Sequence, residues 1–161
     1  DWSSDVCSSD LLRLMDLDSI YELLEPIIMP TSPNAKSRIM TLLPLLKERA
    51  KTHLEIARTI DYLAHDGAVK IDNDAKSLLN HDSKLRLLAL EIALGTSSWD
   101  VTSLKQTIDS FLETNGLKMR DIGLPLRAAI TGSKQSPSII DIMAVLGQSE
   151  TAQRIRAACE T

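Results

Sequence analysis

The sequence predicts an all-α fold, and three observations support this. Apolar residues recur at helical spacing along almost the whole chain, with polar residues between them. The residues that favour strands, Val, Ile, Thr and the aromatics, do not cluster in alternating runs, and aromatics make up only 3% of the chain. Proline and glycine residues fall between the apolar segments, where they end one helix and allow the next to begin.

Five helices are predicted in the first half of the chain: residues 12–25, 34–43, 44–65, 73–79 and 83–94. The first is expected to stop before Pro26, because proline disfavours a helical conformation in the residue that precedes it. Pro44 is expected to open the third and longest helix, because the first turn does not use the N–H that proline lacks. The apolar stripe of that helix has six members: Leu46, Ala50, Leu54, Ala57, Ile60 and Ala64. Asp66-Gly67 ends it, and Gly95 closes the fifth helix as a left-handed C-terminal cap.

Four helices are predicted in the second half: one from Val101 to a stop at Asn115-Gly116, one from Pro125 to Gly132, one from Ser136-Pro137 to Gly147, and one capped by Ser149. In the third of these, Ser136 is expected to be the N-cap and Pro137 the first-turn proline. The segment 95–100 is small and polar. It predicts a boundary between two helical subdomains, residues 12–95 and 96–161.

The first eleven residues, DWSSDVCSSDL, have no apolar periodicity, and they resemble the in-frame translation of a common sequencing adapter. We therefore interpret residues 1–11 as non-native, or else as a disordered acidic tail, and exclude them from the fold. Removing Asp1, Asp5 and Asp10 changes the formal charge of the chain from −4 to −1. The remainder is a near-neutral chain, long enough for one compact domain or two small ones.

The composition and motifs argue against several classes of protein. No apolar run approaches the roughly 20 residues of a membrane-spanning helix, and Cys159 alone remains outside the first eleven residues, which favours a reducing cytoplasm. The sequence contains no phosphate-binding glycine loop, zinc-protease motif, CxxC pair or nucleophile elbow. Three histidines, His53, His65 and His81, lack metal-ligand spacing. We therefore expect neither a metal nor a catalytic site.

Basic residues are unevenly distributed. Between residues 34 and 58 there are six, Lys36, Arg38, Lys47, Arg49, Lys51 and Arg58, against only Glu48 and Glu55. A sparser set follows: Lys118, Arg120, Arg127 and Lys134. Such residues can neutralise RNA phosphates, but they can equally form a solvated helix face. The aromatic platform that usually stacks single-stranded RNA is missing, so the charges alone leave both interpretations open.

From Trp99 onward, an amphipathic helix is followed by NGLKMRDIG, LPLRAAITG, SPSIIDIMAVLG and a final basic helix. This order resembles the C-terminal anticodon-binding region of bacterial glutamate–tRNA ligases, the class I glutamyl-tRNA synthetases. Upstream, LLPLLKERAKTHLE, residues 42–55, is similar to the family's helical segment beside the anticodon. The resemblance implies an all-helical anticodon-binding cage, in residues 12–95 and 96–161, which lacks the catalytic domain of the parent enzyme.

The resemblance also implies particular contacts with tRNA. Arg49 would contact the third anticodon base, and Arg127 would face the RNA, although it could equally hold two helices together. Ser136, Pro137 and Ile139 correspond to a turn that contacts splayed anticodon bases, with backbone N–H groups donating to RNA oxygens and an apolar side chain covering a base. Lys134 would contact a phosphate. The competing interpretation of Ser136 is simple N-capping.

The parent reaction implied by the resemblance is ATP- and magnesium-dependent attachment of glutamate to its tRNA. Since the catalytic motifs would lie in a separate N-terminal domain, we expect this chain to need no cofactor, to be inactive alone, and to be a cytoplasmic monomer whose partners are tRNA with a glutamate anticodon and that catalytic domain. Two other classes stay open. A helical protein-interaction scaffold is one, and a helix-turn-helix DNA binder is the other, although residues 137–146 contain Asp141 and no basic residue.

Overall fold

The structure, a computed structural model, describes residues 9–134 and 136–160. These residues contain eleven helices and no strand, which confirms the all-α prediction. The helices are α1 (Ser9–Leu14), α2 (Leu17–Ile28), α3 (Ala35–Arg49), α4 (His53–Thr59), α5 (Asp61–Ala64), α6 (Asn73–Lys76), α7 (His81–Leu94), α8 (Val101–Thr114), α9 (Met119–Thr131), α10 (Ile139–Leu146) and α11 (Gln148–Glu160). Of the segment interpreted as non-native, residues 1–8 lie outside the described part, and residues 9–11 belong to α1.

The chain divides into two compact units, and the division falls between Asp66 and Gly67. This differs from the boundary at residues 95–100 that the polar composition indicated. The physical reason is that α7 packs against α8, α9 and α11, so the segment 95–100 is a loop inside the second unit. The polar composition of residues 95–100 therefore did not indicate where the packing between helices is interrupted.

The first unit contains α1 to α5. Helix α3 contacts α1, α2, α4 and α5, and α2 also packs on α4. The fully buried side chains at the centre are Leu12, Ile20, Leu24, Ile39, Leu43, Ile56, Ile60 and Leu63. Lys47 holds α1 in place, because its Nζ donates to the carbonyl oxygens of Arg13 and Met15, each at 3.3 Å.

Two prolines of the first unit, Pro26 and Pro44, lie inside helices, contrary to the prediction. Helix α2 continues through Pro26 to Ile28 and ends at Met29, which has a left-handed backbone with φ of 44°. Helix α3 continues through Pro44 because its buried residues lie on both sides of it, at Leu43 and Leu46. The hydrogen bond that each proline removes is a local loss, and packing of the apolar face offsets it.

The long helix predicted from Pro44 is instead interrupted at Ala50, whose backbone is extended. Thr52 begins α4, and its Oγ1 accepts a hydrogen bond from Glu55 N at 3.1 Å. The Glu55 carboxylate accepts from Lys51 N, also at 3.1 Å. This exchange resembles a capping box, and the Thr-x-x-Glu spacing that produces it is visible in the sequence.

The second unit contains α6 to α11. Helix α11 packs against α7, α9 and α10, and α10 also contacts α8 and α9. Its buried apolar side chains include Leu87, Leu90, Leu104, Ile108, Ile122, Leu126, Ile130, Ile142, Met143 and Ile155. The stop of α8 at Asn115-Gly116 is confirmed, as is the end of α9 at Gly132, whose backbone is left-handed with φ of 80°. The predicted left-handed cap at Gly95 is wrong, because its φ is −60°.

Several helices of the second unit begin elsewhere than predicted, among them α9, α10 and α11, the last of which starts at Gln148 and not after Ser149. Helix α9 starts at Met119 instead of Pro125, because Asp121 accepts a hydrogen bond from Lys118 N at 2.8 Å and begins the helix six residues earlier. Pro125 is then a buried residue inside it. Helix α10 starts at Ile139, after Ser136 and Pro137, so neither residue caps it as expected.

Candidate nucleic-acid interface

The turn between α9 and α10, residues 132–138, brings together most of the predicted site residues. Its base is fixed at Gly132, whose carbonyl oxygen accepts from Asp72 N at 2.8 Å. A Cβ atom at Gly132 would lie 2.1 Å from the carbonyl oxygen of Lys70, so no other residue fits without a backbone shift. The positive φ independently favours glycine here.

The hydroxyl of Thr131, at the end of α9, also bonds the backbone on both sides of Gly132. Thr131 Oγ1 lies 2.8 Å from the carbonyl oxygen of Arg127 and accepts a hydrogen bond from Ser133 N at 3.2 Å. Further along, Lys134 Nζ pairs with the Asp74 carboxylate at 3.4 Å. Both of these side chains are about half exposed. An ion pair in that position contributes little stability, and the ammonium keeps donors that a phosphate can accept.

Arg127 and Ser136 are in direct contact across the turn. Arg127 projects from α9, and its Nε donates to Ser136 Oγ at 3.1 Å. The Ser136 hydroxyl donates in turn to the carbonyl oxygen of Pro137 at 2.9 Å. Arg127 is half-buried, and no described residue bonds its terminal Nη1 and Nη2 groups. The guanidinium is therefore held at one nitrogen, with its other donors unused.

Ile139 is placed differently from the expectation that it covers an RNA base. Its side chain is only 2% exposed, because it opens the buried face of α10 together with Ile142 and Met143. Pro137, two residues earlier, is half-buried and Ser138 is exposed. The apolar surface next to the turn is therefore offered by Pro137 and not by Ile139.

The start of α10 provides backbone donors. Ser138 is its N-cap residue, yet the serine side chain makes no capping hydrogen bond. The first N–H groups of a helix have no partner within the helix and carry part of the positive end of its dipole. Asp141 in the first turn supplies a compensating negative charge. These donors follow directly after Pro137, and Arg127 bonds Ser136 on the other side of that proline in the chain.

Arg49, the remaining predicted site residue, belongs to the first unit. It is the last residue of α3, its side chain is exposed, and no described residue forms a hydrogen bond or ion pair with it. The backbone leaves the helix at Ala50, so Arg49 and Lys51 do not belong to one helix. A cation at a helix C-terminus is electrostatically favourable even without a specific partner.

Three of the six basic residues between positions 34 and 58 have structural partners. Arg38 is buried and pairs with Asp66 at 2.8 Å. Lys47 bonds the end of α1, as described above, and Lys36 Nζ lies 5.5 Å from the centroid of the Tyr21 ring. The exposed remainder is Arg49, Lys51 and Arg58. The basic segment is therefore less available to a ligand than its composition suggested.

The described residues contain no group of three or more His, Cys, Asp or Glu side chains that could hold a metal. Burial raises the pKa of the Cys159 thiol, which makes it a poorer nucleophile at neutral pH. Across the same described residues, no helix is long and apolar enough to cross a bilayer.

The arrangement of helices is shared with a solved aminoacyl-tRNA ligase structure. The crystal structure of a glutamate tRNA ligase from Elizabethkingia meningosepticum matches with a TM-score of 0.79 at 24% identity, over 96% of this chain and 31% of that one. Identity at this level shows the fold alone. The class of protein that this fold defines is an all-helical domain.

Sequence relatives place the chain more closely. Glutamate–tRNA ligase 1 of Methylobacterium radiotolerans is 35% identical over 127 residues, covering 78% of this chain and 27% of the relative. Glutamate–tRNA ligase 2 of Chelativorans sp. is 38% identical over 122 residues, covering 75% and 26%. The anticodon binding domain family matches residues 19–159, and the chain belongs to this family. It spans about a quarter of the length of the curated relatives it matches.

Proposed function

We propose that this chain recognises the anticodon of a tRNA, using the turn 132–138 of the second unit and Arg49 of the first. The observation that carries the proposal is the match of residues 19–159 to the anticodon binding domain family. The geometry of the turn supports it, because Arg127 keeps unused donors beside a helix start whose N–H groups are also uncapped.

The chemistry of the turn suits unstacked RNA bases. The Arg127 guanidinium can donate two parallel hydrogen bonds to a base edge or a phosphate. The first N–H groups of α10 can donate to RNA oxygens, and Pro137 offers an apolar surface to a base face. Lys134 contributes a charge that is shared with Asp74. The buried side chain of Ile139 packs in the core directly after the turn and does not contact RNA.

Arg49 is proposed to contact the third anticodon base. Its exposure and lack of a competing partner among the described residues leave all its guanidinium donors available. When these donors are buried against the edge of one base, a base with a different pattern of acceptors leaves some of them unpaired and binds more weakly. A single well-placed bidentate contact is worth about 1–3 kcal/mol of discrimination.

The proposed context is a glutamate–tRNA ligase in the cytoplasm. The relatives carry that name, and the matched region is about a quarter of their length. In such a parent, ATP and magnesium would serve a catalytic domain distinct from this one. This chain would then supply tRNA recognition as a monomeric module and would be inactive by itself.

Binding of the full chain to tRNA tests the proposal. The tRNA with a glutamate anticodon is compared with the same RNA altered at its third anticodon base, at low and at moderate salt. We expect a preference of about tenfold, equal to about 1.4 kcal/mol, which Arg49→Gln abolishes. Arg58→Gln removes an equally exposed charge from the same unit and serves as the matched control. Salt-sensitive binding without a preference would reduce the proposal to a non-specific basic surface.

A protein-interaction scaffold is the second candidate, and one observation favours it. Leu85, Leu88 and Ile92 lie on one face of α7 and are 54%, 38% and 73% exposed. An apolar helix face of this kind can dock into a groove of another protein, and such a contact is little affected by salt. RNA contacts made through phosphates weaken steeply as salt rises. A well-folded chain that binds no tRNA at low salt would favour the scaffold.

A further inference from the structure

The contact between Arg127 and Ser136 has a defined hydrogen-bond polarity. A serine hydroxyl carries one hydrogen and two lone pairs. Because the Ser136 hydrogen points to the carbonyl oxygen of Pro137 at 2.9 Å, the hydroxyl faces Arg127 only as an acceptor. It accepts the Nε–H of Arg127 at 3.1 Å. The serine thus bridges the guanidinium to the backbone of the turn.

Gly123 lies next to the guanidinium of Arg127. It lies one helical turn before Arg127 on α9, and a Cβ atom there would be 3.6 Å from Arg127 Nη1. The same Cβ would be 3.9 Å from the side chain of Met119. The guanidinium of Arg127 therefore lies over the α9 backbone at Gly123, while its Nε is bonded to Ser136.

Arginine can form a paired hydrogen bond in two ways, through its Nη1 and Nη2 end or through its Nε and Nη2 side. In this structure Nε of Arg127 already donates to Ser136, so the Nε and Nη2 side cannot bind RNA. Only the Nη1 and Nη2 end is available to RNA. We infer that Ser136 is a positioning residue, which fixes Arg127 so that it reads RNA through Nη1 and Nη2. This inference rests on the proposed function, and it gives Ser136 a role that acts through Arg127 and not through direct contact with RNA.

A double-mutant cycle separates positioning from direct contact. The full chain and the variants Ser136→Ala, Arg127→Gln and their combination are titrated with the matched tRNA and with RNAs altered singly at each anticodon position. We expect Ser136→Ala to weaken discrimination about fivefold at the base that Arg127 contacts, the effect of one ordinary hydrogen bond. In the Arg127→Gln background, Ser136→Ala should then have no further effect.

Two more variants serve as matched controls. Ser136→Thr keeps the hydroxyl and should restore discrimination, whereas Ser110→Ala removes an exposed hydroxyl from α8, outside the turn, and should leave it unchanged. Melting temperatures are measured alongside, and they should stay within a few degrees of the unaltered chain. Independent losses in Ser136→Ala and Arg127→Gln that add together would overturn the positioning role in favour of direct contact by Ser136.

A measurement without RNA distinguishes failure of this inference from failure of the proposed function. The nuclear magnetic resonance signal of the Arg127 Nε–H should exchange with water several times more slowly in the unaltered chain and in Ser136→Thr than in Ser136→Ala. Equal exchange rates in the three would overturn the contact itself, whatever the RNA result. Protected Nε–H together with no tRNA binding would overturn the proposed function and, with it, the role of the contact in reading RNA.

Discussion

Arg154 and Glu150, one turn apart on α11, form a buried ion pair in which Arg154 Nε donates to Glu150 Oε2 at 2.8 Å. The side chain of Arg154 is fully buried, and that of Glu150 is 11% exposed. Arg154 Nη1 also donates to the carbonyl oxygen of Ile130 at 2.9 Å, and Glu150 Oε2 accepts from Gly67 N at 2.7 Å. The pair therefore joins α11, α9 and the first residue of the second unit.

We predict that Arg154→Met lowers the free energy of unfolding by about 3 kcal/mol, because it leaves the Glu150 charge buried without its partner. Urea unfolding followed by circular dichroism measures this. Lys105→Met is the control, since Lys105 is an exposed cation of the same unit that forms no ion pair with a described residue. The control should cost no more than about 1 kcal/mol. Similar losses in the two variants would contradict the role assigned to the buried pair.

The second prediction concerns Gly132. Alanine there meets both the positive φ and the Lys70 carbonyl oxygen, so Gly132→Ala should destabilise the chain by more than the roughly 1–2 kcal/mol expected from a left-handed backbone alone. It should also weaken tRNA binding, because the turn 132–138 loses its anchor. Thermal unfolding and tRNA titration measure the two effects.

Gly116→Ala is the control for Gly132→Ala, because Gly116 also has a positive φ, of 64°, but a Cβ atom there meets nothing within 4 Å. It should show only the backbone cost and no change in tRNA binding. Equal destabilisation at the two positions would mean that the backbone near Lys70 yields at little cost.

The sequence predicted the helical class and the positions where a single local signal decides the structure. Asn115-Gly116 ends α8 and Gly132 caps α9, because a stop signal acts within a few residues. The continuation of α3 through Pro44 could not be predicted in this way, since it depends on burial of Leu43 and Leu46 against other helices. The break at Ala50 was predictable, because the Thr52-x-x-Glu55 spacing that starts α4 is in the sequence.

For the candidate site, the sequence indicated which residues lie near one another but not how their side chains are buried or bonded. Four of its residues, Arg127, Lys134, Ser136 and Pro137, lie on or beside one turn, as their order in the sequence indicated. The burial of Ile139 and the bond between Arg127 and Ser136 depend on how α9 and α10 pack, and no local pattern encodes that. The partners of Arg38 and Lys47 are also distant in sequence, which is why composition alone overstated the basic surface.

The third prediction is that Gly123→Ala stabilises the chain by about 0.5–1 kcal/mol. Glycine inside a helix costs about this much relative to alanine, and the new Cβ would lie 3.6 Å from Arg127 Nη1, an ordinary contact distance. The anticodon preference should be retained. Gly123→Leu, by contrast, fills the space that Arg127 crosses and should reduce the preference. Loss of the preference in Gly123→Ala would indicate that Arg127 needs more room than this structure gives it.

The fourth prediction concerns pH and Asp100, the N-cap of α8. Its carboxylate accepts from Ser103 N at 2.9 Å, and this backbone hydrogen bond lowers the pKa of Asp100 below its ordinary value of 3.8. A carboxylate whose pKa is lower in the folded state stabilises the fold above the unfolded pKa, and the stabilisation is lost as the pH falls through the folded pKa. The melting temperature of the unaltered chain should therefore exceed that of Asp100→Ala by a constant amount near neutrality, and this difference should shrink below about pH 4.

Asp100→Asn keeps an oxygen that can cap the helix but does not titrate, so its melting temperature should lie between the two at neutral pH. Asp109→Asn, at an exposed position of the same helix without a described hydrogen bond or ion pair, is the control for the loss of a carboxylate charge at neutral pH. A difference for Asp100→Ala that stays constant down to pH 3 would show that the cap does not depend on the carboxylate charge.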